Sequence, residues 1–417
     1  MVNMTILRPF KGIRPQKELA HLVASRPYDV MSSQEAREDV KENPLSFLHV
    51  TKSEIDLPEE IDHYDQQVYW KAKANLQDMV NNGVMIKDKE ESLYIYSLTM
   101  GSHTQSGILA CASVDDYMNN IIKKHELTRI DKEQDRINHI RITGAQTGLV
   151  FLMYEPVSEI DTIVNHVTRS TPEYDFTTSD NVGHKLWTIS DNKLVQALVT
   201  LFAKKVSKAY IADGHHRSAS AANVCQEKRK ESALYSGKEG FNFFISIFYP
   251  SNQVKVFDYN RVVKDLNGLE NIQLIKKLSE KFDLKELGAV EFKSPGLHVI
   301  GMYLDKKWYS MSAKAHAYNP NDPISVLDVS ILQNNVLGPI LGIKDPRTDK
   351  RIDFVGGIRG MGELVKLVDS GAMIAAFAVH PVSVPQIMAI ADAGKIMPPK
   401  STWFEPKPRD GLIIHSI

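Results

Sequence analysis

The stretch KAYIADGHHRSASAANVC, residues 208–225, puts two histidines and an arginine where physical chemistry disfavours cations. Tyr210, Ile211 and Ala212 read as the end of a buried strand, and Asp213-Gly214 is a turn signal. Ala219, Ala222 and Cys225 then recur at three-residue spacing, which predicts a closely packed helix with His215, His216 and Arg217 on its first turn. A helix N-terminus already carries unpaired N–H groups and the positive end of the macrodipole, so further positive charge there asks for an anion. A phosphate resolves the conflict. Gly214 lets an oxyanion approach the backbone, Arg217 offers a fork of donors, and the phosphate-binding set is Asp213, Gly214, His215, His216, Arg217 and Ser218, with His216 also a catalytic candidate. The alternative is a plain helix start whose histidines bond neighbouring carbonyls.

A second constellation is KKHELTRIDKEQDRINHIR, residues 123–141. Asp131 with Gln134 three residues later forms a capping box, which places His125, Glu126, Thr128 and Arg129 on the approach to a helix. Lys132 and Arg136 share a face, and Glu133 is spaced to pair with Arg136. A carboxylate at the mouth of a helix, beside a histidine and several cations, suits a general base, so Glu126 is the catalytic candidate. His125, Thr128, Arg129 and Arg136 are the substrate-binding candidates. The competing reading is a solvated, salt-bridged helix face.

Near the C-terminus, KIMPPKSTWFEPKPRDG contains a KST that imitates the close of a P-loop. The imitation fails because Pro399 stands where glycine is expected and has no N–H to donate. Lys400, Ser401 and Thr402 remain candidates for a C-terminal contribution, against a structural clamp. VGGIRGMGELV, residues 355–365, lacks the dinucleotide-binding spacing and reads as a turn. The N-terminal strings RPFKGIRP, RPYDVMSSQEAR and NPLSFLHVTKSEIDLP read as surface loops, with SFLHV strand-like. No CxxC or HExxH occurs, the adjacent His215 and His216 diverge, and no Gly-x-Ser-x-Gly elbow is found, so neither a protein-held metal nor a serine hydrolase is expected.

The elements that must position these residues alternate. SLYIYSL, GILACASV, GLVFLMY, FNFFISIFYP and LHVIGMYLD read as strands, interleaved with helices near 131, 159–170, 193–204, 324–337 and 361–369. That predicts a mixed α/β chain, with an N-terminal region over 1–95, a core over 96–240 and a C-terminal region over 241–417. The 417 residues carry 50 basic and 51 acidic side chains, a formal net charge of -1, which disfavours a protein that binds nucleic acid by phosphate neutralisation. Two isolated cysteines, Cys111 and Cys225, point to buried thiols. With no long apolar segment, a cytoplasmic location without membrane partners is expected, and an oligomer is left open.

YIADGHHRSASAA, preceded by HELTRIDKEQDR and followed by MPPKSTWFEPKP, resembles the DUF1015 family over essentially the whole chain, as do RPFKGIRP, PYDV, NPLSFLHV, EIDLP and HKLW. The DGHHR turn is also similar to the phosphate turn of the ParB/sulfiredoxin-like fold, most closely that of the free L-serine kinases, which carry the same Gly-His-His-Arg. The resemblance implies a ParB/sulfiredoxin-like nucleotide-binding core with additional N- and C-terminal α/β regions. It implies a phosphotransferase acting on free L-serine or O-phospho-L-serine, with ADP or ATP and Mg²⁺, in which Glu126 is the base for the serine hydroxyl. It further suggests a place in serine biosynthesis, where the reaction would run in reverse. The alternatives are a phosphoserine phosphatase using the same anion cradle, and a non-catalytic nucleotide-binding switch of the ParB kind.

Overall fold

In the computed structural model, residues 4–232 and 234–417 are described, and their contacts divide the chain into two compact units. The first comprises residues 1–124, 128–254 and 406–417; the second comprises 125–127 and 255–405. The regions 1–95, 96–240 and 241–417 drawn from sequence texture therefore cut across these units. Strand β1 (Leu7–Arg8) pairs with a strand beyond residue 100, and the last twelve residues belong with the first unit.

The first unit is built on a nine-stranded sheet. Its further strands are β2 (Leu93–Met100), β3 (His103–Ser113), β4 (Ile122–Lys123), β5 (Val150–Tyr154), β6 (Tyr174–Thr177), β7 (Val182–Ile189), β8 (Ala209–Asp213) and β9 (Phe243–Pro250). They run in the order β4-β8-β5-β9-β3-β2-β7-β6, with β1 beside β3. β8 pairs parallel with β4, and β9 parallel with β5, while the remaining pairs are antiparallel. The mixed α/β class expected from the sequence is the class observed.

VFLMY of β5 is buried at every position, as a strand covered on both faces must be. Val150, Leu152 and Tyr154 join the main core with residues of α1 (Ser158–Val167), α2 (Asn192–Lys205) and α3 (His215–Glu231). Other helices are α4 (Gln66–Asn81) and α5 (Ile130–Thr143); Leu76 and Met79 of α4 form a separate core with Phe47, Val50 and Ile414. SFLHV, expected as a strand, is instead a buried helical turn at Leu48–Thr51, because Phe47, Leu48 and Val50 are all needed on packed surfaces and no strand edge is offered to them. HKLW lies in β7, paired with β2 and β6.

The second unit holds an antiparallel six-stranded sheet: β10 (Tyr259–Val263), β11 (Phe282–Gly288), β12 (Val299–Leu304), β13 (Lys307–Ala313), β14 (Ile352–Gly356) and β15 (Ala375–Ala378), in the order β11-β13-β12-β15-β10-β14. Helix α6 (Met361–Asp369) packs Leu364, Val365 and Val368 against Val262, Tyr303 and Ala376. The helix expected over 324–337 is shorter: it begins at Asp328, and from Gln333 to Leu337 it widens into a π turn. Among the described residues no helix is long and apolar enough to cross a membrane.

Candidate functional site

The DGHHR segment joins β8 to α3 as the spacing predicts. β8 shifts register against β5 between Ile211 and Asp213, a bulge that re-aims the end of the strand. Gly214 follows at φ 100, a left-handed conformation; a Cβ there would meet Arg217 Nε at 3.2 Å and Val150 Cα at 3.3 Å. A side chain there would be strained by the backbone and would crowd Arg217 and Val150. No side chain caps α3, so its first N–H groups point out of the turn beside His215, His216 and Arg217.

These side chains are fixed by different partners. His216 Nε2 accepts a 3.0 Å hydrogen bond from the backbone N–H of Arg129, which places the proton of a neutral ring on Nδ1 and ties the start of α5 to the DGHHR turn. Ser218 is fully buried, and its hydroxyl donates back to the carbonyls of Gly214 and His215 at 3.1 Å. Small residues follow because α5 lies along α3: Ser220 Oγ donates to the Glu133 carbonyl at 3.0 Å, and Asn223 Nδ2 to the Glu133 carboxylate at 2.8 Å.

Arg217 is one-tenth exposed. Its Nη2 donates to Asp213 at 3.0 Å and lies 3.7 Å from Asp29, and its Nη1 donates to the Leu149 carbonyl. Its buried Nε has no hydrogen-bond partner. Asp213 also accepts from Lys407 at 3.0 Å. Burial alone would raise the Asp213 pKa; the Lys407 ammonium and the Arg217 guanidinium outweigh it and hold the carboxyl well below its ordinary range.

The C-terminal tail brings a further carboxyl. Asp410 pairs by its backbone with Ser25, and a Cβ added to Gly148 would meet Asp410 Oδ1 at 3.4 Å and Arg217 Cδ at 3.2 Å. Asp410 Oδ2 is buried and has no partner. Burial pushes the Asp410 carboxyl up to about 7, against the lowering pull of Arg217 and with the support of nearby Asp29. Beside these groups a cavity of about 30 Å³ is lined by Tyr28, Arg136, His139, Gly148 and Arg217 among others, room for a water or two.

The folded protein retains a proton on Asp410 at pH values where the unfolded chain has released it. The resulting stabilisation is therefore full in acid and is lost as pH rises from about 4 to about 7. Asp410→Asn lacks this dependence. The stability of the wild type relative to Asp410→Asn is expected to fall by up to about 4 kcal/mol between pH 4 and pH 8. Urea unfolding of both proteins across that range measures it, and a difference flat with pH would rule the assignment out.

The approach to α5 differs from the capping box read in the sequence. Arg129 is the N-cap, no side chain caps the helix, and Asp131 lies inside its first turn, bonded to Arg129 at 2.8 and 3.2 Å. The register is displaced because His216 holds the Arg129 N–H that a capping side chain would otherwise order. Glu133 does not pair with Arg136: it accepts from Thr128 at 2.6 Å and from Asn223. Arg136 instead bonds its neighbour Asp135 at 2.8 Å and stacks over the Tyr28 ring at 4.1 Å.

In the second unit, the His125 carbonyl accepts from the Met397 N–H at 2.9 Å, and Glu126 lines a cavity of about 430 Å³ with Lys344, Asp345 and Arg347. Ser401 donates to the Pro398 carbonyl at 2.6 Å and is buried, Lys400 has φ 55 with its ammonium 5.7 Å from the Tyr259 ring, and Thr402 is half-buried. KST closes a turn of its own.

Sequence reasoning missed Tyr28, Asp29, Lys407 and Asp410. PYDV was expected at the surface: Asp29 is exposed there and lies 3.7 Å from Arg217, while Tyr28 lines the small cavity. The available signal was the KPRDG of the tail, in which two cations and an acid alternate with prolines just before the apolar end LII.

The DUF1015 profile, described as a protein of unknown function, matches residues 7–330. The chain belongs to the DUF1015 family. No curated protein matches it. Among solved structures it is similar to a conserved hypothetical protein from Pyrococcus furiosus at 14% identity, covering 73% of this chain and 93% of the other with a TM-score of 0.36. It is similar to a free serine kinase in complex with AMP at 14% identity, covering 73% and 90% with a TM-score of 0.37. SbnI with a C-terminal truncation, from Staphylococcus aureus, aligns at 10% identity over 72% and 84% with a TM-score of 0.38.

Proposed function

We propose that this DUF1015 protein is a phosphotransferase that moves a phosphoryl group between a purine nucleotide, ADP or ATP, and the hydroxyl of free L-serine, with DGHHR as the phosphate site. The observation that carries the reading is the turn itself: a left-handed Gly214, uncapped helix N–H groups, and a buried Arg217 whose Nε is unpartnered, converging at one point. Phosphoryl transfer asks a protein mainly for positioning and for charge stabilisation on the transferred group, which is what such a turn supplies. The match of the turn to the free L-serine kinases supports the choice of substrate.

In this reading the α3 N–H groups and His215 hold the phosphoryl oxygens. His216, with its proton on Nδ1, offers a neutral donor. Arg217, braced by Asp213 and Leu149, turns its Nε toward the turn. Glu126 accepts the serine hydroxyl proton, or returns it when phosphoserine is the substrate. Asp213, the carboxylate of the phosphate turn, is bonded to two cations, so Mg²⁺ would be held largely by the nucleotide phosphates.

Phosphorus NMR of the protein with Mg²⁺ tests the reading in four tubes: serine with ATP, serine with ADP, phosphoserine with ADP or AMP, and phosphoserine alone. Phosphoserine formed as nucleotide is consumed, or its nucleotide-dependent loss, is the expected result and fixes donor and direction. Inorganic phosphate from phosphoserine alone would replace the kinase by a phosphatase on the same cradle. Silence in all four tubes would overturn the reading.

A further inference from the structure

A cavity of about 200 Å³ opens in the first unit, lined from β1, the short strand Met85–Lys87, the segment before β9 and residues 415–416. It is smaller than the about 300–1,000 Å³ of a cleft for a drug-sized molecule. Four cations line it, Arg8, Lys11, Lys87 and Lys238, against one carboxylate, Glu91. Among the described residues none of these four cations has an ion pair. Cations scattered over a surface are ordinary, but gathered into one concavity they focus a positive field.

The walls are held before any ligand arrives, which lowers the ordering cost of binding. Arg8 lies in register with Cys111 of β3, and its guanidinium sits 4.3 Å over the Phe243 ring of β9. That contact fixes the guanidinium plane and leaves its N–H edge without a hydrogen bond among the described residues. Lys87 ends a strand paired with Ile13–Pro15, and its ammonium donates to the Ser416 hydroxyl at 3.3 Å. Beside Lys238, the Glu239 carboxylate accepts from the Ser236 N–H and hydroxyl at 2.9 and 2.6 Å and from Asn242 at 2.9 Å, so it is committed within its own turn. His415, also in the lining, is buried and donates from Nε2 to the Gly240 carbonyl at 3.1 Å. Burial, with the charges of Arg8 and Lys87 added, pushes its pKa down to about 4 against the raising pull of that carbonyl, so the ring is neutral at pH 7.

Several cations on ordered backbone, around a space too small for a large organic body, suit a ligand with two or more negative charges on few atoms. A phosphoryl group carries them on one centre, whereas a dicarboxylate spreads them along a carbon chain. The open guanidinium edge matches phosphoryl oxygens, and the lysines act as point charges. We propose that this cavity binds a diphosphate-class anion, free or as the end of a nucleotide. The inference goes beyond the phosphotransferase reading and shares no residue with it.

The test is hydrogen–deuterium exchange of the full chain, wild type and Lys11→Gln/Lys238→Gln, with inorganic diphosphate, ADP or citrate in metal-free buffer. Diphosphate is expected to slow exchange at residues 8–12 and 238–241 of the wild type. The double variant is expected to need about tenfold more diphosphate for the same protection, the worth of two exposed charge pairs. Both lysines are exposed and unpaired, so their replacement leaves the fold intact. Protection of the same residues by ADP assigns the anion to a nucleotide, and protection by diphosphate alone assigns a free anion. Protection confined to 213–218, equal diphosphate dependence at the cavity in the two proteins, citrate protecting as well as diphosphate, or no protection at all overturns the inference. Protection of the cavity with none at 213–218 counts against the phosphate turn and leaves this site standing.

Discussion

Arg217→Ala is expected to lower the unfolding free energy by about 3–5 kcal/mol and to remove nucleotide binding from whatever protein stays folded. The guanidinium is one-tenth exposed and bonds Asp213 and the Leu149 carbonyl, with Asp29 at 3.7 Å and Asp410 near its Cδ end. Its removal leaves Asp213 and the buried Asp410 beside a void, with the exposed Asp29 at its edge. Lys407 still answers Asp213 at 3.0 Å, but Asp410 loses the guanidinium that lowers its pKa and would hold its proton still more firmly. Breaking a buried pair by deleting one partner is costly for this reason, whereas surface pairs such as Arg141–Glu227 contribute little. Urea unfolding measures the loss. Arg217→Lys separates charge from geometry: it keeps a cation but loses the planar fork, and is expected to recover part of the stability and little of the nucleotide affinity. A loss below about 1 kcal/mol in Arg217→Ala would show that the carboxylates do not depend on the guanidinium.

How far this site was legible in the sequence depended on how local its parts are. The strand, turn and helix of YIADGHHRSASAA follow from nearest-neighbour chemistry: an apolar run, a glycine that alone tolerates φ 100, and small residues where α5 lies along α3. The α5 helix was legible for the same reason, but its start was not. His216, 87 positions away, takes the Arg129 N–H, and no pattern within 123–141 announces that. Asp29 and Asp410 were illegible in a stronger sense. Each sits in a segment whose composition is that of any surface turn; Asp29 stays exposed and Asp410 is buried, and only the tertiary position of a buried guanidinium ties either to the site. SFLHV went wrong by the reverse mechanism: its β-like residues were overruled by packing that needed them on a helical turn.

Glu126→Gln is expected to reduce serine phosphorylation by about 10²–10⁴-fold, the usual worth of a positioned proton acceptor, with nucleotide affinity unchanged. The substitution preserves size and hydrogen-bonding reach, and it takes away only the ability to accept a proton as a carboxylate. Because the proposal gives Glu126 the hydroxyl proton and DGHHR the phosphate, its loss should appear in kcat and leave the KM for nucleotide where it was. A structural role predicts a different outcome: the His125 carbonyl is bonded to the Met397 N–H at 2.9 Å, so a disturbed 125–127 segment would lower the unfolding free energy of the protein. Glu126→Asp decides between them, since a retained carboxylate on a shorter stem should restore measurable turnover to a base and nothing to a strut. Wild-type turnover in Glu126→Gln would remove the residue from the chemistry and return the search to the Asp410 carboxyl, the group beside Arg217 that burial poises near neutral pH.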